Sequence, residues 1–270
     1  LLQLLVGARP REAAVSHVEL EVELLVVDPH GGAVVGDEGQ PLPISGDVLE
    51  FRLDVIADLA CPFCFIGKRR LDTAMTAVQG PSAVSWYPFQ VNPEIDPGGQ
   101  PFDVYLTRRF GSPANVEPVL QHLVEEGAAA GIDFRFDKLR HVPNTLAAHQ
   151  VMQFAESIGA NQSALAEDFL SAFFEQGRDI GERGELIDIA GTHGISATDT
   201  AKAIDSRQLR QIVTARERQV RDGGLAGVPG FLINRRLLVV GAQSSDNIVG
   251  AFDRAMFGVD DDELVSPVLH

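Results

Sequence analysis

Cys61-Pro62-Phe63-Cys64 contains both cysteines of this 270-residue chain. A bond between thiols so close in sequence removes almost no unfolded-state entropy, so the pair is poorly suited to stapling a fold. It is well suited to thiol–disulfide exchange, in which one sulfur attacks a disulfide and the second displaces the adduct. If Cys61 caps a helix, Pro62 falls at the first helical position, where its missing N–H costs nothing. The Cys61 sulfur then faces the free amides of the first turn, including that of Cys64. The helix dipole adds about half a positive charge there. Both effects favour the thiolate at Cys61, with Pro62 and Phe63 tuning the helix start. Cys64 lies one turn on, on the same face but farther in, and is expected to keep its proton until it resolves a mixed disulfide.

Zinc is the rival chemistry for a Cys pair. It takes four protein ligands in structural sites and three in catalytic ones, so histidines would have to join the cysteines. His122, His141, His149 and His193 are scattered without the H-x₃₋₅-H spacing of such sites, and no metal is expected.

The elements that must position this pair are legible in the hydrophobic periodicity. Leu49 to Asp58 reads as a strand entering a core, and Phe65, Ile66, Leu71, Met75 and Val78 then recur at helical spacing. Val84 to Phe89 reads as a second strand. A Pro/Gly-rich connection leads into helical patterns at 103–110, 115–130, 145–158, 162–176, 184–193, 197–204 and 206–222. Asn161 and Ser196 or Thr198 suit N-caps, and Gly131, Gly159, Gly177 and Gly194 suit helix ends. Phe231–Asn234 and Arg236–Val240 read as a hairpin turning near Asn234-Arg235, followed by a helix over 245–257. The order β-α-β, helical block, β-β-α predicts an α/β thioredoxin-like fold over 48–101 and 224–258, with an inserted all-helical subdomain over 102–223. Residues 1–47 form an extension, either a β-hairpin built on the alternating Val18–Leu24 run or a poorly ordered segment. Residues 259–270 form an acidic tail.

Composition narrows the function classes. With 45% hydrophobic residues the chain can bury a large core, and its net charge of −16 repels phosphate backbones and anionic lipid. No apolar run reaches the ~18 residues of a membrane helix. Neither nucleic acid nor membrane is expected as a partner, and a cytoplasmic setting is expected. No motif specifies a homodimer, though the sequence is compatible with one.

Gly227-Val228-Pro229-Gly230 precedes a predicted strand. A cis Val228–Pro229 bond there would leave the backbone of Val228 free to dock an extended peptide or a glutathione backbone. On the tetrapeptide alone a trans bond is favoured, since only ~5–6% of X–Pro bonds are cis.

These segments together resemble a known family. Asp58-Leu-Ala-Cys61-Pro-Phe-Cys64-Phe-Ile-Gly67-Lys-Arg-Arg-Leu71 is similar to the opening of the DsbA-like thioredoxin-fold oxidoreductases, in particular the FrnE-like branch. Asn144-Thr-Leu-Ala-Ala-His149, Gly227-Val228-Pro229 with Phe231, and Val240-Gly-Ala-Gln243 resemble its later blocks, in the family's order. The chain departs from the pattern at Phe63, where Trp is usual, and in residues 1–47. The resemblance implies thiol–disulfide exchange by Cys61 and Cys64 through a redox-active disulfide with no bound cofactor, and a cis bond at Pro229. It implies a disulfide-containing protein or small thiol as partner, with glutathione a candidate co-substrate. The family borders on glutathione-dependent 2-hydroxychromene-2-carboxylate isomerases, which typically carry Ser at the position of Cys61. That isomerase chemistry is the alternative, and a non-catalytic binding module is a third.

Further residues have two readings each. Asp58 is either a proton relay for Cys64 or a strand-end cap. Asn144 and His149, at the start of a lid helix, either contact the ligand or pack that helix, and packing is the commoner role for such a histidine. Lys68, Arg69 and Arg70 read as a solvated helix face, and Trp86, Phe134, Phe136, Phe173 and Phe174 as core.

Overall fold

The computed structural model describes residues 24–26, 51–78, 81 and 83–257. The chain order is β1 (Leu24–Val26), β2 (Arg52–Ala57), α1 (Pro62–Ala77), β3 (Ala83–Pro88), β4 (Gln100–Pro101), α2 (Phe102–Phe110) and α3 (Pro113–Ala129). A 3₁₀ turn at Phe136–Lys138 and β5 (His141–Val142) follow. Then come α4 (Leu146–Ser157), α5 (Gln162–Phe174), α6 (Arg183–Thr192), α7 (Ala197–Asp205) and α8 (Arg207–Asp222). The chain closes with β6 (Gly230–Ile233), β7 (Leu237–Val240) and α9 (Ser245–Phe257). The main sheet runs β1-β7-β6-β2-β3. β2 and β3 are parallel, as a helical crossover requires, and the remaining pairs are antiparallel. This is the thioredoxin-like arrangement, with helices α2 to α8 inserted between its two halves.

Alternation along β2 divides the helices between the sheet's two faces. Phe51, just before the strand, meets Phe252 of α9 edge to face, with ring centroids 5.3 Å apart. Asp54 and Ile56 point the other way, into a groove shared with Gln219 and Val220 of α8. A single hydrophobic cluster extends from Leu53 and Val55 through Phe65 into Phe169, Phe173 and Phe174 of the inserted helices. Trp86 of β3 joins the two parts. Its amide donates to Gln162 Oε1 at 3.1 Å and its indole N–H to Ser163 Oγ at 3.0 Å.

Local signals account for many boundaries. Asn161 and Ser196 cap α5 and α7 by accepting the Ala164 and Asp199 amides. Thr198 lies inside α7 and has no capping role. The β6–β7 hairpin turns at Asn234 and Arg235, both at positive φ (49° and 57°). Asn234 Oδ1 holds this turn by accepting the Arg52 amide at 3.0 Å.

The Lys68–Arg70 run is not a solvated face. Lys68 is 5% exposed, with Nζ 2.6 Å from Asp72 and 2.8 Å from Glu167 of α5. Arg69 also reaches Glu167, at 2.6 Å, and Arg70 pairs with Glu126 of α3 at 2.6 Å. Carboxylates of the inserted helices converge on α1 and turn its basic patch into a fastening. Of the N-terminal extension, only Leu24–Val26 lies among the described residues, where it pairs with β7; the rest of that extension and the 259–270 tail lie outside them. Among the described residues no helix is long and apolar enough to cross a membrane.

Candidate active site

Strand β2 delivers the chain to the site, and a tight turn starts α1. The Cys61 amide donates to the Asp58 carbonyl at 3.3 Å. Cys61 then takes the N-cap position in extended conformation (φ −104°, ψ 117°), with Pro62 opening the helix. The Cys64 amide donates to the Cys61 sulfur at 3.4 Å. An amide aimed at a sulfur on the positive end of a helix stabilises negative charge on that sulfur.

Both cysteines are free thiols, and they differ in surroundings. Cys61 is 5% exposed and lines a cleft; Cys64 is 1% exposed and does not line it. Burial pushes the Cys64 thiol well above its ordinary range, and the neighbouring Cys61 adds to the shift. The Asp58 amide donates to the Cys64 sulfur at 3.5 Å, so the backbone of the strand end touches the inner thiol.

The cleft beside Cys61 has a volume of about 50 Å³. Its walls are Phe63 of α1, Phe102, Tyr105, Leu106 and Phe110 of α2, and Leu123 of α3. The spacing of the α2 residues places them on one helical face, so an inserted helix covers the sulfur. Tyr105 is a residue the sequence reading missed. Burial raises its phenol's pKa, a hydrogen bond from Asn92 opposes this, and the nearby Cys61 and Asp58 add smaller upward effects. The amphipathic spacing of α2 was visible in the sequence, but not which neighbour its apolar face covers.

Asp58 is 2% exposed. Its Oδ2 accepts the Val91 amide at 2.6 Å and its Oδ1 the Ala60 amide at 3.4 Å. Oδ1 also lies 3.5 Å from Nε2 of His149, itself 5% exposed. Neither Asn144 nor His149 lines the cleft. Asn144 braces the segment after β3, donating to the Ile95 carbonyl at 2.6 Å and accepting from Gln90 at 3.3 Å.

Val228 and Pro229 are buried just before β6, and the peptide between them is cis. Pro229 packs against Gly67 of α1, and its carbonyl accepts the Gly241 amide at 2.7 Å. The Val228 N–H and C=O have no hydrogen-bond partner among the described residues. No group of three or more His, Cys, Asp or Glu side chains among those residues is placed to hold a metal ion.

Comparison with known proteins bears on this geometry. A curated relative, the uncharacterized protein YwbO of Bacillus subtilis, is 24% identical over 201 residues, covering 72% of this chain and 92% of YwbO. The crystal structure of a probable DsbA oxidoreductase, SCO1869 from Streptomyces coelicolor, superposes with a TM-score of 0.71 at 25% identity, over 80% of this chain and 94% of that one. The cytosolic disulfide reductase DsbM from Pseudomonas aeruginosa, solved with GSH, shares the fold at a TM-score of 0.51 and 22% identity, over 76% of this chain and 95% of that one. The model of the DSBA-like thioredoxin domain matches residues 52–253, from the first residue of β2 into α9 and through both cysteines. The thioredoxin-like arrangement of sheet and helices is thus shared with these structures, and the chain belongs to the DSBA-like thioredoxin domain family.

Proposed function

We propose that this protein is a thiol–disulfide oxidoreductase in which Cys61 is the nucleophile and Cys64 the resolving thiol. The Cys61 thiolate attacks one sulfur of a substrate disulfide. A mixed disulfide forms and the other substrate sulfur leaves as a thiol. Cys64 then gives up its proton, bonds to the Cys61 sulfur and releases the second substrate sulfur. The substrate gains two electrons, and the Cys61–Cys64 pair becomes a disulfide. Run in reverse, the cycle oxidises a dithiol, and the partner's potential sets the direction. Asp58 serves as the proton relay for Cys64. The unpaired backbone of Val228 receives an extended substrate segment by strand-like hydrogen bonding.

The observation that carries this reading is the contrast between the two sulfurs. One caps a helix, receives an amide and borders a cleft; the other is enclosed and held protonated. The narrowness of the cleft supports a small thiol such as glutathione, or an unfolded segment, over a folded protein surface. A cytoplasmic setting belongs to the same proposal.

The test is Cys64→Ala incubated with oxidised glutathione or a disulfide-bonded peptide, followed by mass spectrometry. An adduct at Cys61 is expected; an unmodified Cys61 defeats the mechanism. The alternative is a glutathione-dependent isomerase of the 2-hydroxychromene-2-carboxylate type. Cys64 weighs against it, because tethering glutathione requires no resolving thiol. Insulin reduction measured beside glutathione-dependent isomerisation separates the two, and activity in neither assay would leave a non-catalytic binding module.

A further inference from the structure

His149 is a buried ionisable group that the exchange cycle leaves unused. It contrasts with His193, whose Nε2 makes a 2.8 Å contact with the half-exposed carboxylate of Asp168, an ordinary surface pair. The Nε2 of His149 is enclosed, has no hydrogen-bond partner among the described residues and faces Asp58 Oδ1 at 3.5 Å. An apolar side chain would fill that place on α4 without leaving a polar atom unsatisfied. Asp58 thus meets the Cys64 sulfur through its backbone amide, its negative charge adds to the upward shift of that thiol's pKa, and its carboxylate faces the imidazole.

We propose that His149 is the outlet of a proton path that runs from Cys64 through Asp58, an inference that rests on the thiol–disulfide reading above. In the resolving step the Cys64 S–H bond breaks while its sulfur bonds to Cys61. The bond between Cys61 and the substrate breaks, and the departing substrate thiolate takes a proton from water. The Cys64 proton passes to the Asp58 carboxylate and on to Nε2 of His149, and the ring releases a proton from Nδ1. Imidazole suits this task because one ring nitrogen can accept while the other releases, near neutral pH. His149 touches neither substrate nor the reacting sulfurs and acts through Asp58. The inserted helices thereby contribute to the chemistry of a site whose cysteines lie on the thioredoxin-like part.

Other ionisable groups among the described residues lie around the path. Cys61 and Cys64 face it from α1, and Tyr105 of α2 feels both Cys61 and Asp58. From α8, Glu217 accepts the Gln90 amide at 2.9 Å, one residue from the Val91 amide that binds Asp58, and is paired with Arg221 at 2.8 Å.

The test uses 5,5′-dithiobis(2-nitrobenzoate), which releases one coloured thiolate when Cys61 attacks and a second when Cys64 resolves the adduct. Both phases are followed by stopped flow across pH 5 to 9 in the parent chain, His149→Gln and Asp58→Asn. In His149→Gln the second phase is expected to slow about tenfold or more and lose its pH dependence around neutrality, with the first phase unchanged. Asp58→Asn should do the same, and the double variant should add nothing further. Equal slowing of both phases, an unaltered pH profile of the second, or additive effects in the double variant would overturn the proposal. If His149→Gln does not fold, Asp58→Asn decides: a second phase with the parent's pH profile overturns the path. Absence of the first phase in the parent chain would instead defeat the thiol–disulfide reading itself.

Discussion

Gly67 and Pro229 touch across a gap that no larger residue at position 67 could share. A Cβ on Gly67 would lie 2.7 Å from Pro229 Cγ and 3.3 Å from the Phe231 ring. The helix capped by Cys61 and the loop carrying Val228 are therefore held in register by the absence of a side chain. Gly67→Ala is expected to destabilise the fold by about 1–3 kcal/mol through overpacking and to slow exchange by shifting that loop. Urea denaturation checks the first effect. Gly184→Ala, where nothing lies within 4 Å, is the control and should be neutral or stabilising. Equal stability of the two variants would refute the role given to this contact.

The grip of the inserted helices on α1 is a second measurable quantity. Glu167 bridges Lys68 and Arg69, and Lys68 is enclosed. Glu167→Gln leaves the buried ammonium with Asp72 as its remaining carboxylate. Fully enclosed pairs lose ~3–5 kcal/mol when one partner goes. Glu167 keeps 22% of its side chain exposed, so about 1–3 kcal/mol is expected here. A loss below about 0.5 kcal/mol in chemical denaturation would place this pair with ordinary surface ion pairs.

Asp54 gives a pH-dependent prediction. It is 4% exposed, its Oδ1 has no hydrogen-bond partner among the described residues, and burial raises its pKa against the opposing pull of Arg235, Arg52 and Arg216. Between the unfolded carboxyl value and the raised folded value, the folded chain holds a proton that the unfolded chain has released. Stability therefore falls as pH rises through that window. Asp54→Asn removes the penalty, so its melting temperature should exceed the parent's at pH 7. The difference should shrink as pH falls below ~4, the ordinary carboxyl range. A variant less stable than the parent at pH 7 would refute this account.

Cys64 follows the same sign at the alkaline end. Its thiol is held protonated by burial, so above the ordinary thiol value of ~8.5 the unfolded chain loses a proton that the folded chain keeps. Its contribution to stability must then decline with rising pH, and Cys64→Ala should show a shallower alkaline decline in calorimetry. Native-state alkylation with iodoacetamide at pH 8 should add one label, at Cys61, and a second only in denaturant. Two labels in the native state would contradict the burial of Cys64.

Much of the framework is determined by sequence alone, because it follows from short-range rules. Helix periodicity, the Cys61 cap with Pro62 behind it, the caps at Asn161 and Ser196, and the turn at Asn234-Arg235 all depend on neighbours within a few residues. The two-residue strands β4 and β5 were not legible, since so short a strand has no period to read. The rest was decided by packing between residues distant along the chain. Lys68 reads as a surface lysine until Glu167 arrives from α5, and the face of α2 that covers Cys61 is simply an amphipathic face in isolation. The 3.5 Å approach of His149 to Asp58 exists only because the inserted helices fold back onto the end of β2. Periodicity reveals which face of an element seeks cover. Which charged group waits opposite, and whether water is excluded between them, is settled only when the whole chain has closed.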